Sequence, residues 1–315
     1  DPSYGKTAWR QEGVTPKSPR RAANDISLVL NTVLGNDRFD HGPVNVGEVA
    51  IEYTRQISPE SHIEFVVAED LPGCEGALVP GDSQPRRWAI MYDKGQNPGR
   101  RAYTIAHELG HFMLHRQLVD EEPDFNGGFR CSKKAVEHGA GADIEKEANE
   151  FAATLLMPLD DYRRQIPSDQ LPSLERLGDI ASRYGVSLTA ACLRWLEYTT
   201  TRAMVIASVD GFAHWAKSSE SAVKSGRFLR TKSDLFEMPE ASLAVRKVSA
   251  SESLEGVQQK AGVWFPEPTI EMCMRSDKFD FELTLLQFEG KAPAYQAEDE
   301  LEDSYTQFFK LGAAS

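Results

Sequence analysis

A His-Glu-x-x-His pentad, His107-Glu108-Leu109-Gly110-His111, constrains this chain more than any other feature. On a helix the two histidines lie four residues apart on one face, so both imidazoles can grip one ion, and Glu108 projects beside it, where it can accept the proton of an attacking water. Zinc peptidases use this arrangement. Two histidines and a glutamate also meet by chance on solvated helices, so the pentad needs a second anchor. Catalytic zinc takes three protein ligands and leaves one position open, which asks for a further His, Asp, Glu or Cys from elsewhere in the chain.

The run from Glu145 to Ala153 offers one. Ala148, Phe151, Ala152, Leu155 and Leu156 recur at helical spacing, which predicts a second amphipathic helix that stops at Met157-Pro158. Glu145 and Asn149 share a face of it, so Glu145 can bind the ion while Asn149 hydrogen-bonds a ligand from behind. Glu147 points roughly 160–200° away around a helix of 3.6 residues per turn. It is the weaker candidate.

The stretches Arg101–His115 and Glu145–Pro158 together resemble the ImmA/IrrE family of metallopeptidases, bacterial and phage proteases that cleave repressors. The likeness covers roughly residues 42–200 and is faint beyond. It implies a zincin-like metallopeptidase core and a zinc-dependent endopeptidase. In the family the third zinc ligand is the Glu three residues before the Ala-Asn pair, which falls on Glu145. One Zn²⁺ is the implied cofactor, with Mn²⁺ as a substitute, and the implied substrate is a regulatory protein, a helix-turn-helix repressor or antitoxin-like partner. Metzincins do not match, since Leu114 and Gln117 stand where they carry a Gly and a third His.

Composition narrows the setting. The 315 residues suffice for two domains. A formal charge of −13 argues against a protein that coats nucleic acid, because counterion release needs a dense basic surface. No apolar run approaches the length a bilayer requires, and no secretory pattern is present, so no membrane partner is expected. The four cysteines, Cys74, Cys131, Cys192 and Cys273, form neither a Cys-x-x-Cys pair nor a secreted framework, which points to reduced thiols in a cytoplasmic protein. Cys131 lies between the two zinc helices and could reach the open metal position as a latching thiolate; an ordinary thiol is the plainer alternative.

The expected class is α+β, in four blocks. Residues 1–21 hold Lys6, Arg10, Lys17, Arg20 and Arg21 with three prolines and read as a basic mobile arm. Residues 22–160 form the peptidase core: a helix from 22 to Gly35, another after Pro43, then strands Ile63–Val67 and Arg87–Tyr92 of a small antiparallel sheet feeding the pentad helix. Arg87–Tyr92 is the expected edge along which an extended substrate lies, with Tyr92 at its end, or else a plain core strand. The polar stretch Asp120–Asp143 is long enough for a lid or binding wall. His138 within it, and Tyr103 one turn before His107, are candidates to stabilise an oxyanion. His115 extends the ligand face and is expected behind the ligands or at the surface.

Residues 161–200 are helical, and Leu177–Ser187 reads as the first helix and turn of a helix-turn-helix, with Gly185 turning and Ser187 capping. Five arginines between 159 and 200 face six acids, so DNA binding is not expected. Residues 201–315 contain a hairpin at Asp210-Gly211 and further apolar runs, at Leu243–Val248, Ala261–Phe265, Thr269–Met274 and Phe279–Phe288, and read as a β-containing sensor, docking or dimerisation domain, which leaves a homo-oligomer open. The competing functional class is a non-proteolytic metal- or ligand-sensing regulator acting through the helix-turn-helix-like segment. A pure binder, however, has no need of Glu108.

Overall fold

The computed structural model describes residues 17–131, 141–231, 233–246, 250–276 and 281–290. They fall into two compact units, Asp1–Ile166 with Arg176–Arg194 and Pro167–Glu175 with Trp195–Ser315. The basic arm up to residue 16, His138, the side chain of Cys131 and everything after residue 290 lie outside the described residues.

In the first unit the helix ends follow local chemistry. Helix α1 (Pro19–Leu34) starts where Ser18 accepts the Arg21 N–H and Pro19 presets the first turn, and it stops at Gly35, whose φ of 93° suits glycine. Helix α2 (Val46–Ile57) is capped by Asn45. Strands β1 (Ile63–Glu69), β2 (Gly76–Pro80) and β3 (Trp88–Asp93) follow. Then comes α3 (Pro98–His115), where Asn97 Oδ1 accepts the Arg100 N–H at 2.9 Å. A short helix α4 (Leu118–Glu121) leads to β4 (Phe129–Cys131). Helices α5 (Gly141–Leu156), α6 (Leu159–Gln165), α7 (Leu174–Tyr184) and α8 (Leu188–Leu196) complete the run.

The sheet order is β1-β3-β2-β4. Strand β1 runs parallel to β3, whereas β2 is antiparallel to both β3 and β4, so the sheet is mixed. The chain leaves β1, skips a place to lay down β2, and returns to fill the gap with β3. This corrects the expectation that Arg87–Tyr92 is an open edge. β3 is paired on both sides, and its Trp88 and Ile90 are buried, so its backbone groups are already satisfied. Among the described residues the edges are β1 and β4.

Helix α3 lies on this sheet, with Ile105, Ala106, Leu109 and Phe112 buried and the Phe112 ring edge-on to Trp88 at 5.9 Å. Helix α5 buries Ala148, Phe151, Ala152 and Leu155. The two helices approach closely because Gly110 lacks a side chain. A Cβ there would sit 3.1 Å from Phe151 Cδ1 and 3.2 Å from the Ala148 Cα. Gly110 and Ala148 therefore set the crossing that carries the first turns of α5 in front of the pentad.

Beyond α5 the expected turn is present. Gly185 has φ 64° and Ser187 Oγ accepts the Ala190 N–H at 3.1 Å. Asp161, buried on α6, accepts from Tyr184 Oη at 2.6 Å, Arg164 Nη2 at 2.8 Å and Arg183 Nε at 3.3 Å, which ties α7 to α6.

The second unit is built on strands β5 (Arg202–Val209), β6 (Phe212–Ser218), β7 (Val257–Gln259), β8 (Thr269–Ser276) and β9 (Phe281–Phe288), with short helices α9 (Glu220–Lys224), α10 (Leu243–Arg246) and α11 (Ala250–Glu255). The order is β6-β5-β9-β8-β7, every pairing antiparallel. Asp210 and Gly211, at φ 50° and 81°, make the tight hairpin turn between β5 and β6. Met204, Ile206, Met238, Leu243, Trp264, Leu286 and Phe288 form the core. The run at Leu243 enters that core as a helix.

Candidate metal centre

One face of α3 and the first turns of α5 meet at three buried side chains. The Nε2 atoms of His107 and His111 are 3.1 Å apart, Glu145 Oε2 is 3.2 Å from His107 Nε2, and Glu145 Oε1 is 3.4 Å from His111 Nε2. These three residues can offer one ligand atom each within 4.8 Å of one another. The donor set fits zinc, because two imidazole nitrogens and one carboxylate oxygen are what it takes in peptidase sites, and bonds of about 2.0–2.1 Å in a tetrahedron give donor–donor edges of about 3.3–3.4 Å.

Each histidine is held from behind. Asn149 Oδ1 lies 3.0 Å from His107 Nδ1 and also accepts from Tyr103 Oη at 2.5 Å. An amide oxygen only accepts, so His107 donates from Nδ1 and presents Nε2 to the centre. His111 Nδ1 lies 3.1 Å from His115 Nδ1, and His115 Nε2 lies 2.9 Å from Glu147 Oε2. The Phe129 ring of β4 stacks on His111 at 4.7 Å, and Phe125 stacks on Phe129 at 5.2 Å.

Electrostatics prepares these groups for a cation. Burial pushes His111 down to about 4 despite its bond to Glu145, so its imidazole is neutral. Burial alone would raise Glu145, but the bonds from His107 and His111 outweigh it and hold the carboxyl well below the usual range. Burial also opposes a charged His107, yet the Glu145 bond and the nearby Glu108 and Glu145 charges raise it. A metal ion bound here would compete with the proton those carboxylates attract, for the same atoms.

Glu108 is fully buried, and its carboxylate lies against β2. A Cβ on Gly76 would fall 2.8 Å from Glu108 Oε1 and closer still to Thr104 Cγ2. Only glycine lets the strand come this near. Beside Glu145 opens a cleft of about 310 Å³, lined by Phe125, Gly127, Gly128, Phe129, Arg130 and Ile144.

The pentad histidines, Glu145 and Asn149 thus come together in the structure. Tyr103 joins the group through Asn149, to which its hydroxyl donates. Tyr92 stands in β3 with its ring 6.0 Å from the Arg101 guanidinium, and among the described residues no hydrogen bond or ring contact links it to the three ligands. Sequence reasoning missed Gly76, Phe129 and the His115–Glu147 bond. A glycine opening a strand is a sign of close backbone approach and could have flagged the first; the other two depend on partners distant in sequence.

A buried His-His-Glu set on two crossed helices, with a glutamate inside the pentad, could hold a metal ion in the manner of a metallopeptidase. Comparison with known proteins agrees: residues 59–196 match the Peptidase_M78 family model, described as the IrrE N-terminal-like domain. Over these residues, less than half of the chain, the sequence is similar to that family's domain, which has a zincin-like fold. The search of curated proteins finds no match. Among solved structures, a Mycobacterium tuberculosis transcriptional regulator is similar at 14% identity and a TM-score of 0.44, over 86% of this chain and 82% of that one, a likeness too distant to carry function across.

Proposed function

We propose that this protein is a zinc-dependent endopeptidase of the cytoplasm that cleaves a regulatory protein, a helix-turn-helix repressor or antitoxin-like partner. The observation that carries the reading is the buried His107, His111 and Glu145 set with Glu108 beside it. His107 Nε2, His111 Nε2 and a Glu145 oxygen would hold the ion, zinc by the donor set, with manganese as a substitute. When bound, the ion supplies a Lewis acid that acidifies water and polarises the scissile carbonyl. Glu108 takes the proton of the attacking water on its carboxylate and passes it to the leaving amine nitrogen. Asn149 keeps the His107 proton on Nδ1 throughout.

The substrate path favoured by the geometry runs along β4. Among the described residues this strand ends its sheet, pairing with β2 through Phe129–Cys131, and its residues line the cleft that also contains Glu145. A peptide added in extended form beside β4 would pass the centre. The identity of the substrate as a repressor rests on the family resemblance. Cytoplasmic residence rests on the cysteine pattern, four cysteines with neither a Cys-x-x-Cys pair nor a secreted framework; separately, no helix among the described residues is long and apolar enough to cross a membrane. The regulator reading draws on the turn at Gly185, but Arg164 and Arg183 bind Asp161, Arg183 also binds Asp40, and Arg194 is buried on the Met157 carbonyl, so these cations are engaged within the protein rather than offered to phosphates.

The test is incubation of zinc-loaded protein with the repressors encoded beside it, read by mass spectrometry. A defined cleavage that requires Glu108 is the expected result. Intact repressors with both wild type and Glu108→Gln would overturn the proposal.

A further inference from the structure

Glu147 points away from the centre, as helical periodicity requires, yet its carboxylate is not idle. It meets His115, one turn beyond His111 on α3, with Oε2 2.9 Å from His115 Nε2. The other nitrogen of the His115 ring, Nδ1, lies 3.1 Å from His111 Nδ1. His115 and His111 are buried, whereas Glu147 is half exposed. The line of contacts therefore runs from solvent, through Glu147 and His115, to the rear of a proposed metal ligand.

Hydrogen-bond inventory fixes where the protons sit along this line. A carboxylate can only accept, so His115 Nε2 carries a proton and donates it to Glu147. A neutral imidazole with its proton on Nε2 offers a bare lone pair at Nδ1, so the 3.1 Å contact is satisfied only when His111 donates from its own Nδ1. His111 then has no proton on Nε2, the atom that faces His107 and Glu145. We infer that Glu147 and His115 form a positioning relay that places the proton of His111 on Nδ1 and thereby sets how tightly the centre holds its metal. The relay does for His111 what Asn149 does for His107. Without Glu147, His115 is free to move its proton to Nδ1 and donate it to His111, which would drive the His111 proton onto Nε2, against the ion. The inference rests on the zinc reading of the centre.

Partners behind a ligand histidine commonly govern about 10–100-fold in metal affinity. Because Glu147 is half exposed, the low end applies. The experiment measures zinc affinity of the full chain by competition with a chromogenic chelator, alongside zinc stoichiometry at saturation and the melting temperature. Glu147→Ala is expected to bind one zinc about 10-fold more weakly. Glu147→Gln should recover most of the affinity, since its amide oxygen still accepts from His115 Nε2. Ring ¹⁵N shifts should place the His115 proton on Nε2 in wild type and Glu147→Gln and show it redistributed in Glu147→Ala. An unchanged affinity in a folded Glu147→Ala overturns the relay, and so does a Glu147→Gln as weak as Glu147→Ala, which would mean that charge alone matters. A wild type that takes up no zinc overturns instead the reading of the centre on which the relay depends.

Discussion

Gly76→Ala isolates the positioning of Glu108 from the binding of metal. The added Cβ would lie 2.8 Å from Glu108 Oε1, where ordinary contact begins near 3.4 Å, so the oxygen must retreat by about 0.6 Å. The strand cannot retreat instead, because at this residue β2 is paired with Tyr92 on one side and Cys131 on the other. Overpacking of this kind costs about 1–3 kcal/mol, and a domain of this size loses about 2–4 °C of melting temperature per kcal/mol. A misplacement of about 1 Å in a catalytic group can cost about 100-fold, so a shift of about 0.6 Å should lower the cleavage rate by about 10–100-fold, or about 1.4–2.7 kcal/mol in the barrier. Zinc uptake should be unchanged, since none of the three nearest atoms that the Cβ would meet belongs to a ligand. The double variant Gly76→Ala with Thr104→Ser removes the closest obstacle, Thr104 Cγ2, but leaves the Glu108 contact. Its melting temperature should recover while its rate stays low. Wild-type cleavage by Gly76→Ala, or recovery of rate together with stability in the double variant, would refute the argument that β2 positions the base.

Three further outcomes are expected. Glu108→Gln should bind zinc with wild-type stoichiometry while cleaving about 10²–10⁴-fold more slowly, as its amide cannot accept a proton; metal analysis and a cleavage assay on the same sample check it. Glu145→Ala should lose most of its zinc at saturation, whereas Glu147→Ala should keep full stoichiometry; the reverse pattern would sink the ligand assignment. Asp161→Asn should lower stability at neutral pH by about 1.5–3 kcal/mol, through weakened charged hydrogen bonds to Arg183, Arg164 and Tyr184. Burial alone would raise the Asp161 carboxyl, but those bonds outweigh it and hold it below its ordinary 3.8. The stabilisation is then complete above that ordinary value and lost as pH falls through the lower folded one, so the gap in melting temperature between wild type and variant should be widest near pH 7 and close in strong acid.

What the sequence disclosed and what it withheld divide along the range of the interactions. Helix α1 could be read from its apolar spacing and Gly35, α3 from the pentad, and the turn after α7 from Gly185 and Ser187, because caps and periodicity act within a few residues. The meeting of these side chains was legible for the same reason: His107 and His111 on one helix, and Glu145 and Asn149 on the other, are each four apart. Strand order is not local. Arg87–Tyr92 runs straight into the pentad helix and looked like a border, but β2, laid down earlier, and β4, which follows α3, both lie beyond it in the sheet. β4 itself is three residues long, too short for alternation to register.

Glu147 shows how a correct local reading can still miss a role. Helical geometry turns it away from Glu145's face of the helix, and its carboxylate reaches His115 while Glu145 faces His107 and His111. What periodicity on α5 could not supply was the crossing of α5 over α3, fixed by the contact of Gly110 with Ala148 and Phe151. That crossing gives the exposed side of α5 a third buried histidine of α3 to meet. The small residues that let the helices touch therefore select both carboxylates at once, Glu145 for the front of the imidazoles and Glu147 for the rear. A larger residue at 110 should accordingly disturb the ligand and its support together, where a change at either glutamate disturbs only one.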